Sequence, residues 1–140
     1  MIADGIYSLL LTTSAIHDLV GDRIYPVQAP DTAGLPRILY WQTAGEFAES
    51  IDVDEVDPER GSWQIDCQAT TYKEAKTLAN LVRNLFRNHQ GAMGASGKVC
   101  LYTSVTNETD VPLSPPDAGA PALYQTSIDI DIVYHPDQDC

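Results

Sequence analysis

The stretch GAMGASGK at residues 91–98 has the composition of a phosphate-binding loop, in which glycine-rich backbone N–H groups cradle phosphates and a lysine reaches them. That motif needs a glycine five residues before its final one, where Ala92 stands, and a Ser or Thr for magnesium, where Val99 stands. It also follows a helical pattern and precedes a strand pattern, the reverse of the required order. A second stretch, DVDEVDPE at 52–59, offers Asp52, Asp54, Asp57 and Glu59 as hard oxygen donors for calcium. The calcium loop asks for glycine at its sixth position and glutamate at its twelfth; counted from Asp52 these are Asp57 and Trp63. A solvated acidic loop is the better reading, with a loose ion site as the alternative. Cys67, Cys100 and Cys140 contain no Cys-x-x-Cys pair, and His17, His89 and His135 are isolated, so buried thiols acting as small hydrophobes account for the first two cysteines. No Gly-x-Ser-x-Gly elbow or His-Glu-x-x-His occurs. Asp129 and Asp131 alternate onto one strand face that is expected to be wet, which is a poor setting for acid–base work. The triplet Asn107-Glu108-Thr109 matches a glycosylation site, but no secretory leader goes with it. The expected catalytic, cofactor and metal residues are therefore none.

One junction remains, SWQIDCQATTYKEAKTLANLVRNLF from Ser62 to Phe86, where a strand turns directly into a helix. Such a junction can hold a nucleophile or serve only as scaffold. Trp63, Ile65, Cys67 and Ala69 alternate with Gln64, Asp66 and Gln68, the pattern of a half-buried strand. Thr71 and Glu74 form a capping box. The helix behind it places Tyr72, Ala75, Leu78, Ala79, Val82, Leu85 and Phe86 on one stripe, with Lys73, Lys76, Arg83 and Arg87 elsewhere.

The other elements must position this unit. Residues 2–12 carry Ile2, Ile6, Leu9 and Leu10 at helical spacing. Ser14 is placed to cap a second short helix that Gly21 ends. RIYPV is a short extended piece stopped by Pro26, and the loop QAPDTAGLP leads to a strand from Arg37, expected to be covered on both sides near Leu39 to Trp41. GAMGASG reads as a connector, KVCLYTSVTNE as a strand and TDVPLSPPDAGAP as a proline-rich loop. In the last strand, Tyr124, Thr126, Ile128, Ile130, Ile132 and Tyr134 share a face. The expectation is a single α+β domain over residues 1–140, with four or five mostly antiparallel strands, helices packed on one face, and extended loops at about 45–60 and 108–121.

A chain of 140 residues with 44% hydrophobic and 20% charged residues suits a globular domain, and no window approaches the roughly 20 apolar residues of a membrane span. The apolar start of the chain has Asp4 and no basic leader, so the expectation is a folded helix in a protein made in a cytoplasm. The net charge of −12 argues against binding nucleic acid through its phosphates. Glu46, Glu49, Asp52, Asp54, Glu55, Asp57 and Glu59 form an acidic stretch without a base, while Lys73, Lys76, Arg83 and Arg87 make the helix basic. The two could pair across copies of the chain or be two solvated faces.

Three segments together resemble a known family: LVGDRIYPVQAP…LPRILYWQ, WQIDCQATTYKEAKTLANLVRNLF and the closing strand YQTSIDIDIVYH. Their order and spacing look like the tail completion, or tail terminator, proteins of long-tailed bacteriophages and related prophage elements. The resemblance implies a non-enzymatic virion protein at the head–tail junction. Six copies would form a ring on the tail tube protein, end tube growth and receive the head connector, while DNA passes through without specific binding. Six copies at −12 each carry a formal charge of −72, which would make a bore that offers phosphates no counterion release. The acidic stretch and the basic helix residues named above are then the candidate subunit or partner contacts. The rival readings are a head-side completion or stopper ring and a small cytoplasmic ligand-binding dimer.

Overall fold

The computed structural model describes residues 2–30, 34–46, 59–87, 91–92, 99–111 and 123–134. The elements run α1 (Ile2–Thr12), α2 (Ser14–Val20), β1 (Ile24–Pro26), β2 (Arg37–Glu46), β3 (Glu59–Ala69), α3 (Tyr72–Phe86), β4 (Gly91–Ala92), β5 (Val99–Val111) and β6 (Tyr124–Tyr134). One mixed sheet in the order β1-β2-β3-β6-β5-β4 holds all the strands among the described residues. Four long antiparallel strands form its body; β1 adds a short parallel edge and β4 a two-residue antiparallel one. The expected α+β sheet is present, with its helices gathered over one side.

Alternation decides which side is apolar. Ile38 and Tyr40 of β2, Trp63, Ile65 and Cys67 of β3, and Ile128, Ile130 and Ile132 of β6 form one buried cluster with Ile6, Leu10, Ile16, Val20, Leu78, Ala79, Val82 and Phe86 of the helices. The register sets Ile38 beside Cys67, Tyr40 beside Ile65, and Ile65 beside Ile128, so the apolar rows continue from strand to strand. Helix α3 lies across β3, β6 and β5. The N-cap half of its capping box forms: Thr71 Oγ1 accepts from the Glu74 N–H at 3.2 Å.

Local outcomes differ from the sequence reading at four places. Thr13, not Ser14, is the N-cap position of α2, and its hydroxyl donates back to Leu9 O at 2.6 Å. Tyr72 is half exposed, off the buried stripe, because its hydroxyl reaches Asp110. Leu39 and Trp41 are only half-buried, since helices cover one side of β2. Residues 108–111, expected in the proline-rich loop, instead continue β5 in register with β6 as far as Val111, just before the first proline of that stretch in the sequence. At the other loop, β2 runs to Glu46 and β3 starts at Glu59. These two long connections leave opposite ends of the sheet: Glu46 lies beside Arg60, whereas Val111 lies beside Gln125 in the row that ends at Arg37. No helix among the described residues is long and apolar enough to cross a membrane.

Candidate functional site

Two polar arrangements stand out, one on each side of the sheet. On the side away from the helices, hydrogen bonds run in one direction across three strands. Arg37 Nε donates to Gln68 Oε1 at 2.6 Å, and Gln68 Nε2 donates to Gln125 Oε1 at 2.7 Å. Gln125 Nε2 donates to Ser127 Oγ at 3.0 Å, and Ser127 Oγ donates to Asp66 Oδ1 at 2.7 Å. A cation starts this chain and a carboxylate ends it, so each bond polarises the next. Asp66, only 7% exposed, also accepts from Gln64 Nε2 at 2.7 Å and from Trp41 Nε1 at 3.3 Å. Four residues back along β3 on the same face, Ser62 Oγ donates to Asp131 Oδ1 at 2.7 Å. The donors here are turned onto neighbouring acceptors of the same face, an arrangement that stiffens a surface and does not activate a nucleophile.

On the helix side, Asp110 accepts from the Tyr72 hydroxyl at 2.6 Å, from Thr126 Oγ1 at 3.1 Å and from Lys76 Nζ at 3.2 Å. Lys76 also reaches Glu108 Oε2 at 3.4 Å, and Arg83 Nη1 lies 3.6 Å from the same oxygen. The Tyr72 hydroxyl, and then the Lys76 ammonium, hold the Asp110 carboxyl below the ordinary carboxylate range. Burial pulls the Lys76 ammonium down, but its hydrogen bond to Asp110 and the charge of Glu108 outweigh that and leave it raised. The cluster binds edge strand β5 to α3.

The sequence-based candidates divide accordingly. Lys76 and Arg83 are engaged within the chain, on Glu108 and Asp110. Lys73 and Arg87 lie on the exposed surface of α3 and at its C-cap. Glu46 and Glu59 sit at the facing ends of β2 and β3, whereas Glu49, Asp52, Asp54, Glu55 and Asp57, with the calcium reading of that stretch, lie outside the described residues, as do residues 93–98 of the glycine-rich stretch. Tyr72, Glu108 and Asp110, and the relay ending at Asp66, were missed. The available signal was spacing: Glu108 and Asp110 share one strand face, and Lys76 and Arg83, seven apart, share one helix face.

Nothing in this geometry gathers reacting groups. Among the described residues no three His, Cys, Asp or Glu side chains come together to hold a metal ion. Cys67 is fully buried, and burial followed by the charges of Asp66 and Glu108 pushes its thiol far above the usual range, so it packs as a hydrophobe. The groove of about 410 Å³ along α1 is lined by Asp4, Tyr7, Ser8 and Leu11, away from both polar arrangements.

Comparison with known proteins adds two findings. The family model described as "Tail completion protein gp17" matches residues 4–135. A solved chain from the "Virion of native gene transfer agent (GTA) particle" shares the fold at a TM-score of 0.64, with 14% identity over 93% of this chain and 91% of that one. No curated protein matches.

Proposed function

This chain belongs to the tail completion protein gp17 family, with a structural role in a phage-like virion, and on that premise we propose that its copies form a ring capping the tail tube. The ring ends tube polymerisation and presents the docking surface for the head connector, at the neck of the particle. Six copies are the expected number. The single observation carrying this reading is the family match over residues 4–135. The site geometry supports it, because both polar arrangements stiffen the sheet and neither assembles a reactive centre.

The topology supports a division of labour. The β2–β3 connection, with its acids, and the proline-rich β5–β6 connection leave opposite ends of the sheet. One therefore faces the tube and the other the connector, while Lys73 and Arg87 remain as basic groups for a neighbouring copy. The net charge of −12 per chain favours a bore that does not retain DNA.

Deletion followed by electron microscopy of lysates tests the reading. The expected result is filled heads separate from tails, with tails of abnormal length, and the protein present on purified wild-type tails. Normally joined particles from the deletion would refute it. Recovery of the protein on free heads instead of tails would assign it to the head side.

A further inference from the structure

The two tryptophans of the chain end differently. Trp41 Nε1 donates to Asp66 on the face away from the helices, whereas Trp63, 8% exposed, has no acceptor for its indole N–H among the described residues. That N–H is aimed over a bare piece of backbone. The register pairs Gly45 with Gly61 on the helix side of the sheet, in the row of the buried Ile132. A Cβ on Gly61 would meet Trp63 Nε1 at 3.0 Å and Gln42 Nε2 at 3.6 Å, so the indole lies directly over this glycine. Gln42, Ala44 and Gly45 are exposed, which leaves the shelf open along the β2 edge. Glycine inside a strand marks a place where another backbone can come close.

Aromatic rings stand beside the shelf. Tyr40, the residue before Gln42 on the helix side of β2, packs against Tyr7 of α1 with ring centroids 6.5 Å apart. Tyr7 also lines the groove along α1, so groove and shelf share one flank of the sheet. Gln42 Nε2 gives one hydrogen to Ala44 O at 3.3 Å and keeps a second. Aromatic rings with two N–H donors beside an open shelf fit one kind of peptide. A proline-rich segment in the polyproline II form packs its rings on aromatic side chains and leaves its backbone carbonyls free to accept.

We propose that this flank holds the proline-rich β5–β6 connection of a neighbouring copy, with Pro112-Leu-Ser-Pro115 on the rings and a carbonyl of that segment accepting from Trp63 Nε1. The inference rests on the ring reading above and names a contact between copies. Eleven residues, 112–122, separate Val111 from Leu123, and a segment of that length doubling back reaches about 20 Å. The shelf of the same chain lies three strands and seven rows from Val111, about 27 Å in a straight line. Helix α3, across β3, β6 and β5, stands in between. The chain therefore cannot fill its own shelf, whereas a copy set beside the β2 flank can. The connection still emerges at its own end of the sheet; its prolines cross to the neighbour. The contact is head to tail, the kind that closes into a ring. One such segment binds weakly and copies at −12 repel. Free chains therefore stay apart, and the contacts form together where the tail holds several copies side by side.

Nuclear magnetic resonance on the nitrogen-labelled full chain tests this, because its two indole N–H signals report Trp41 and Trp63 separately. The probe is a synthetic peptide of residues 111–122, VPLSPPDAGAPA. At millimolar peptide the Trp63 signal is expected to move and the Trp41 signal to stay. The same peptide with Pro112→Ala and Pro115→Ala is expected to lose the shift. In the full chain, Trp63→Phe keeps a ring and removes one hydrogen bond, which weakens binding about fivefold as read from the Gly45 amide signal. Gly45→Val fills the shelf from an exposed position and is expected to abolish the Trp63 shift. An unmoved Trp63 signal, a shift that survives both alanines, or undiminished binding by both variants overturns the proposal. Averaged images of wild-type particles separate the two claims: a ring whose chain ignores the peptide removes this contact and keeps the ring, whereas particles without the ring remove both.

Discussion

Replacing Asp66 by alanine tests whether the polar relay holds the sheet. The carboxylate accepts two bonds of 2.7 Å, from Gln64 and Ser127, and a longer one of 3.3 Å from Trp41. A bond to a charged group contributes about 1.5–3 kcal/mol. Gln64 and Trp41 are half-buried and regain water, but Ser127, at 5% exposed, cannot. Allowing for the relieved desolvation of the carboxylate, the net loss is about 3 kcal/mol, or a fall in Tm of roughly 10 °C for a chain of this size. Asp66→Asn keeps the shape and one acceptor oxygen, so its loss is smaller, about 1 kcal/mol. Thermal unfolding followed by circular dichroism reads both variants. A fall of less than about 3 °C for Asp66→Ala, or the reverse order of the two variants, would mean that the relay decorates the face without holding it.

Two further outcomes follow from the packing and the charges. Phe86→Ala removes the largest fully buried side chain among the described residues and is expected to cost about 3–5 kcal/mol in urea unfolding; a cost below about 1.5 kcal/mol would indicate a core that collapses onto the gap. Asp110→Asn addresses pH: the Asp110 pKa is lowered in the fold, so its contribution is present above the unfolded value of about 3.9 and is lost as pH falls through the folded value. The variant is therefore less stable than wild type at pH 7 and converges on it below about pH 4, and a gap that stays constant with pH would contradict that assignment.

Much of the architecture could be read from single-strand and single-helix patterns. Trp63, Ile65 and Cys67 are buried as their alternation predicts, and Thr71 caps α3 as its spacing to Glu74 predicts. What periodicity could not report was the neighbour across the sheet. It put Asp66 and Gln68 on the polar side of β3 and expected the face of Asp129 and Asp131 to be wet; on that side Asp66, Gln68 and Ser127 are buried and both aspartates half-buried, because adjacent strands bring acceptors and donors to one another. The same gap affected the helix charges. Lys76 finds its partners 32 and 34 residues further along, in a register that one sequence does not contain. Family resemblance supplied the assignment of role, which no residue pattern here carries alone.

β1 also decides how closely two copies can approach side by side. It covers Ile38, Leu39 and Tyr40 on the outer edge of β2, and in those same rows β5 runs on through Glu108, Thr109 and Asp110 at the opposite edge. A second copy laid alongside with its rows aligned would put β1 of one chain where β5 of the other already stands. The three-residue strand thus works as a fender against level, endless sideways growth of the sheet.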